Sequence, residues 1–319
     1  NMKDGFFRVS AVTPKIRVAD PVYNREEICK LISEGHSQGV GLMVFPELCL
    51  TGYTCGDLFL QDALIEGARG ELGKIVFYTK GLNMIVFVGL PWMHRGKLYN
   101  VAGAICDGRL LGVVPKINLP NYSEFYERRH FTPGNQIPEM TKWQDGEVPM
   151  GTNLLFACKE HPELVIASEL CEDVWVPCPP SIRHMLAGAT VIANCSASDE
   201  VVGKDSYRRE LISGQSARLL SAYVYANAGE GEPTQDLVFG GHNIIAENGT
   251  ILAESARFRP SAIYADLDIE RLRAERRKTT TCPAPDQTGY KTIEFSLNTE
   301  EMEQCQKEKL LRYIDSRPF

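Results

Sequence analysis

Short apolar runs of strand length alternate along this chain with longer stretches that are apolar at helical spacing. Residues 6–12 read as a strand, 21–38 as an amphipathic helix with Ile28, Leu31 and Ile32 on one face, and 42–45 as a second buried strand. A helix over 63–79 and a strand over 84–90 follow. Asp107-Gly108 between apolar runs at 98–106 and 109–114 predicts a tight hairpin. Strands are expected at 154–158, 164–168 and 191–195, with a helix after Pro180 and another over 207–223. Runs at 237–239, 242–246, 251–254 and 261–267 predict a meander, with a turn at Glu247-Asn248-Gly249. The tail changes character: a basic helix over 271–278, a polar Pro-containing loop over 279–287, then a charged helix over 300–314 with a thin apolar side. Mixed strands with interleaved helices predict layered α/β, with one domain over 1–270 and a C-terminal extension over 271–319.

Three strand-like runs end in reactive side chains. Leu42-Met43-Val44-Phe45-Pro46 leads to Glu47, Leu111-Gly112-Val113-Val114-Pro115 to Lys116, and Leu164-Val165-Ile166-Ala167-Ser168-Glu169-Leu170 to Cys171. Open α/β folds gather ligands at the carboxyl ends of their strands. A thiol needs a base to take its proton before it attacks a carbonyl, and the resulting oxyanion needs a cation. Glu47 suits the base, Lys116 the cation and Cys171 the nucleophile; Glu127, in the polar-aromatic stretch 122–129, is placed to hold Lys116 or steer a leaving group. These are the parts of an amide hydrolase.

Composition narrows the field. The 319 residues are 44% hydrophobic and 24% charged, enough for a substantial core and against global disorder. Lys plus Arg number 34 and Asp plus Glu 41, a net charge of −7, which argues against nucleic acid as the main partner. No apolar run approaches the roughly 20 residues of a membrane helix. Ten cysteines without a CxxC pair fit reduced thiols in a cytoplasmic protein better than a zinc ribbon or disulfide scaffold. There is no HExxH or GxSxG spacing, so no metal site is expected.

At the three strand ends the chain resembles the nitrilase superfamily, and within it the glutaminase domains of the glutamine-dependent NAD⁺ synthetases. The resemblance rests on Phe45-Pro46-Glu47-Leu48-Cys49-Leu50-Thr51-Gly52-Tyr53 with Cys55-Gly56-Asp57-Leu58-Phe59, on Pro115-Lys116-Ile117-Asn118-Leu119-Pro120-Asn121-Tyr122 with Phe125-Tyr126-Glu127-Arg128-Arg129, and on Glu169-Leu170-Cys171-Glu172-Asp173-Val174-Trp175. It implies a four-layer α-β-β-α sandwich and hydrolysis of L-glutamine through a thioester on Cys171. Tyr53, Tyr122, Glu172, Trp175 and Ser198 would line the glutamine pocket. Lys204 stands where relatives often carry Arg; there it would meet the substrate carboxylate as a point charge rather than a fork.

The resemblance also implies no cofactor in this domain. ATP and Mg would serve only a synthetase domain of the same polypeptide, whose SGGxDS phosphate loop is absent here. Arg317-Pro318-Phe319 resembles the start of a linker to that domain, so the chain is expected to be part of a longer protein and at least a dimer. Two rivals are a stand-alone amidase acting on another small amide, and a catalytically silent assembly domain.

Overall fold

The computed structural model describes residues 5–298 and 309–317. Its strands are β1 (Phe6–Thr13), β2 (Leu42–Val44), β3 (Ile85–His94), β4 (Lys97–Cys106), β5 (Arg109–Pro115), β6 (Glu139–Trp143), β7 (Gly146–Met150), β8 (Leu154–Cys158), β9 (Val165–Leu170), β10 (Val191–Ser196), β11 (Ala222–Asn227), β12 (Ile244–Glu247), β13 (Thr250–Glu254), β14 (Ser261–Asp268) and β15 (Lys291–Phe295). They form two sheets, ordered β14-β1-β2-β3-β4-β5-β7-β6 and β13-β12-β11-β10-β9-β8-β15. The strands that matter for function run parallel: β1–β2–β3 in one sheet and β9–β10–β11 in the other.

The sheets bury their inner faces against each other. Phe7, Val9, Val44 and Phe87 from the first meet Phe156, Ile166, Ala193 and Val224 from the second, and the Phe87 and Phe156 rings stand edge-to-face with centroids 5.6 Å apart. Helices cover the outer faces. Ile28 and Ile32 of α1 (Pro21–Ser37) and Leu72 and Ile75 of α2 (Asp62–Tyr78) pack on Met43, Val86 and Val88. Asp20 starts α1 by accepting a hydrogen bond from the Tyr23 N–H, with Pro21 pre-set for the first turn. α3 (Pro180–Leu186) and α4 (Lys204–Arg218) cover the second sheet, where Ile212 meets Ile192, Tyr223 and Ile244. The four-layer α-β-β-α sandwich is therefore present, and α5 (Ile269–Lys278) follows β14.

Several elements differ from the sequence expectation. The helix expected over 207–223 begins at Lys204 and ends at Arg218. Leu220 turns left-handed (φ 45°), and Ala222–Asn227 forms the buried strand β11, whose alternating Tyr223 and Tyr225 suit a pleat. The expected meander divides: β12 and β13 stay in the second sheet, whereas β14 crosses to pair antiparallel with β1. Residues 237–239 supply only an isolated bridge, Asp199 to Phe239. The hairpin β6–β7 and the edge strand β15 were not anticipated, because their mixed polar sequences lack an apolar run.

Of the helix expected over 300–314, residues 300–308 lie outside the described residues, as do Pro318 and Phe319 of the linker-like end. Residues 309–314 are irregular rather than helical. They are held by polar contacts. Arg8 pairs with the buried Asp266 and reaches the Lys309 carbonyl, and Arg312 forms two hydrogen bonds of 2.6 and 2.9 Å to the buried Glu247. Backbone groups engaged in this way are not available to a helix.

One glycine sets how closely the first reactive loop can approach. A Cβ on Gly89 of β3 would stand 2.3 Å from the Pro46 carbonyl oxygen and 2.8 Å from the Glu47 Cα. Gly89→Ala is therefore expected to cost about 1–3 kcal/mol in denaturant unfolding and to displace Glu47. Unchanged stability and unchanged Cys171 reactivity would contradict this packing.

Candidate active site

The three reactive residues converge because their strands point the same way from the two sheets. After β2 the chain turns at Pro46, and the Glu47 N–H donates to the Ser196 carbonyl across the sheet-sheet gap (3.2 Å). Lys116 follows β5, with its N–H on the Asn100 carbonyl (2.8 Å). Cys171 follows β9 as the first residue of a 3-10 turn, Cys171–Val174, in left-handed backbone geometry at φ 40°. Such geometry costs a non-glycine residue about 1–3 kcal/mol and must be held from outside. Asn194 Oδ1 accepts the Cys171 N–H (3.1 Å). Asp173 accepts from the Leu170 N–H (3.2 Å) and from both the backbone and the side chain of Asn118 (2.9 and 2.8 Å).

At the centre the fully buried Lys116 ammonium donates to Glu47 Oε1 and to Glu127 Oε1, each at 2.7 Å. Burial alone would lower its pKa, but Glu127 and Glu47 outweigh it and raise the value, so the cation persists. Asn100 Nδ2 also donates to Glu47 Oε1 (2.6 Å), and the Ala197 N–H to Glu47 Oε2 (3.0 Å). Glu127 accepts from the Tyr53 hydroxyl (2.8 Å), while its Oε2 is buried without a hydrogen-bond partner. Burial pushes the Glu127 carboxyl upward against the pull of Lys116. The Cys171 thiol, 6% exposed, is raised by burial and by the Glu47 charge, with Lys116 opposing. The resting sulfur therefore keeps its proton, and a neighbouring base is needed at the moment of attack.

A cavity of about 420 Å³ is lined by Tyr122, Glu172, Trp175, Lys204 and Tyr207; Cys171 itself does not line it, and its neighbour Glu172 does. The Tyr122 hydroxyl donates to Glu172 Oε1 (2.8 Å). Lys204 pairs with Asp199, with Nζ 5.3 Å from the centroid of the Trp175 ring. The cavity thus carries a carboxylate and an ammonium. Tyr53 does not line it; with Glu127, Phe59 and Leu237 it borders a separate cavity of about 180 Å³. Ser198 is buried rather than part of the cavity lining, its Oγ accepting from the fully buried Arg208 (3.0 Å). Among the described residues no cluster of His, Cys, Asp and Glu is arranged to hold a metal ion.

Sequence reasoning missed Asn100, Asn194 and Arg208. The two asparagines had a visible signal. Each interrupts an apolar strand, Leu98-Tyr99-Asn100-Val101 and Val191-Ile192-Ala193-Asn194-Cys195, where an amide must find partners. Arg208 had none, since an arginine on a polar helix ordinarily faces water.

The family described as carbon-nitrogen hydrolase matches residues 8–277. The glutamine-dependent NAD(+) synthetase of Mycobacterium tuberculosis is 45% identical over 280 residues, covering 87% of this chain and 41% of the relative. That of Thermotoga maritima is 32% identical over 249 residues, covering 77% and 39%. The chain thus spans about two fifths of the length of these relatives. Among solved structures, a glutamine-dependent NAD(+) synthetase from Cytophaga hutchinsonii has a TM-score of 0.74 at 30% identity, covering 82% of this chain and 43% of that one. An amidase from Nesterenkonia sp., with a TM-score of 0.64 at 22% identity over 86% and 96%, shares the fold. Matched over most of its length and folded as such a domain, the chain belongs to the carbon-nitrogen hydrolase family.

Proposed function

We propose that this domain hydrolyses the side-chain amide of L-glutamine and supplies ammonia to a synthetase domain of the same polypeptide. The observation that carries the reading is the buried Lys116 ammonium shared by Glu47 and Glu127 beside a protonated, backbone-strained Cys171. Glu47 takes the thiol proton as sulfur attacks the amide carbon, and Lys116 stabilises the oxyanion. Glu47 then gives that proton to the leaving nitrogen. Ammonia departs and leaves a γ-glutamyl thioester on Cys171. Water, deprotonated by Glu47, attacks the thioester; glutamate leaves and the thiol regains a proton.

The 420 Å³ cavity suits a short zwitterion, with Glu172 and Tyr122 for an ammonium group and Lys204 for a carboxylate. Ser198, expected to contact the substrate amide, is buried against Arg208 and on this reading supports the site rather than touching substrate. Tyr53 acts on this reading through Glu127, not as a pocket wall. The names of the relatives support glutamine over other amides. Nicotinic acid adenine dinucleotide would be amidated, with ATP and Mg, in the synthetase domain; the glutaminase step itself needs no cofactor.

Ammonia release should be at least ~10-fold faster from L-glutamine than from asparagine or N-carbamoyl compounds, and reversed preference would reject glutamine as substrate. Cys171→Ala should abolish turnover with the fold retained, and Lys116→Met should lower kcat by roughly 10²–10³-fold or more. Near-normal rates in either variant would reassign that residue's role. Two copies are proposed to pair through helical faces; light scattering should give a dimer or larger, and a monomer at micromolar concentration would contradict that.

A further inference from the structure

Behind Cys171 a line of buried polar side chains runs across three strands of the second sheet. Asn194 Oδ1, on β10, accepts from the Cys171 N–H (3.1 Å) and the Ser196 hydroxyl (2.8 Å). Asn194 Nδ2 donates to the Tyr223 hydroxyl on β11 (2.8 Å), and that hydroxyl donates to Glu169 Oε1 on β9 (2.7 Å). Glu169 Oε2 accepts from the Ser181 N–H at the start of α3 (2.8 Å). Asn194 and Tyr223 are 0% exposed and Glu169 is 1% exposed. Apolar side chains would fill these positions without the desolvation cost of a carboxylate, a phenol and an amide.

The donors and acceptors leave one direction for the chain. The Cys171 N–H can only donate, so Asn194 must turn its oxygen to it and its NH₂ to Tyr223, whose hydroxyl is then left to donate to Glu169. The amide nitrogen of Asn194 is thereby committed to Tyr223, and its oxygen to the Cys171 N–H. A flipped amide would set N–H against N–H at Cys171, whose backbone is left-handed. Glu169, two residues before Cys171, thus ends the line as the acceptor of the Tyr223 hydroxyl.

We infer that Asn194, Tyr223 and Glu169 are positioning residues that hold the strained backbone of Cys171 in its attacking geometry. This rests on Cys171 being the nucleophile of the proposed reaction. Glu169→Gln is the diagnostic change, because it is isosteric and can put an N–H donor where the carboxyl accepts from Tyr223. With Ser181 N–H held by the new amide oxygen, the new NH₂ would face Tyr223 and reverse the line. Tyr223→Phe breaks the same line while keeping the ring.

For both variants of this chain we expect kcat for glutamine to fall about 10- to 100-fold, as displaced reacting groups do, with KM within about twofold. The rate of Cys171 alkylation by iodoacetamide, followed by peptide mass spectrometry, should fall in parallel. Folded structure by circular dichroism should be retained, and Tyr223→Phe provides the test if Glu169→Gln does not fold. Alkylation rates equal to wild type in the folded variants would overturn the inference and leave the line a packing feature. If the wild type releases no ammonia from glutamine but the variants still slow alkylation, the positioning role stands and the glutamine reading fails.

Discussion

The site depends on a single buried cation. Lys116 is 0% exposed, and an ammonium stripped of water costs several kcal/mol unless other groups replace its hydration. Glu47 and Glu127 replace it, and they can do so only if β2, β5 and the loop after β5 all deliver side chains to one point. Asn100 and the Ala197 N–H then hold the two oxygens of Glu47, and Tyr53 holds Oε1 of Glu127. Removing any one partner leaves charge uncompensated in a dry interior, so the ionic core and the packing of the two sheets constrain each other. The Ala197 contact links them directly, since it ties Glu47 of one sheet to the strand end of the other.

The same core supplies the chemistry. Burial first, and then the Glu47 charge, keeps the sulfur protonated at rest against the pull of Lys116. A cysteine held in this form is oxidised slowly, because oxidation follows thiolate character. In the proposed reaction, activation would wait for a substrate whose developing oxyanion draws on Lys116 and frees Glu47 to take the proton. The asparagine behind the left-handed Cys171 holds its backbone, and the adjacent Glu172 lines a cavity whose carboxylate and ammonium suit an amino acid.

The meeting of Glu47, Lys116 and Cys171 was legible in the sequence because each ends an apolar strand, and parallel strands deliver their C-terminal ends to one side. Glu127 was legible only as a polar residue in an aromatic stretch; the structure places it on Lys116. Residues that act through partners distant in sequence were the difficult ones. Asn194 and Glu169 look like isolated polar interruptions until β9, β10 and β11 are paired in register. β11 itself was hidden, because Ala222–Asn227 follows the helix with no proline or glycine to mark the break, and only the left-handed Leu220 separates them. Tyr53 and Ser198 were expected to line the pocket; Tyr53 instead borders a separate cavity with Glu127, and Ser198 is buried against Arg208.

The most direct test of the account is intact-mass spectrometry of this chain after incubation with 6-diazo-5-oxo-norleucine, an electrophilic glutamine mimic. A single covalent adduct that maps to Cys171 and is absent from Cys171→Ala is the predicted result, since it requires the nucleophile and a glutamine-shaped cavity together. No adduct, or an adduct on another cysteine while Cys171 stays open to a generic thiol reagent, would contradict the assignment of this site to glutamine.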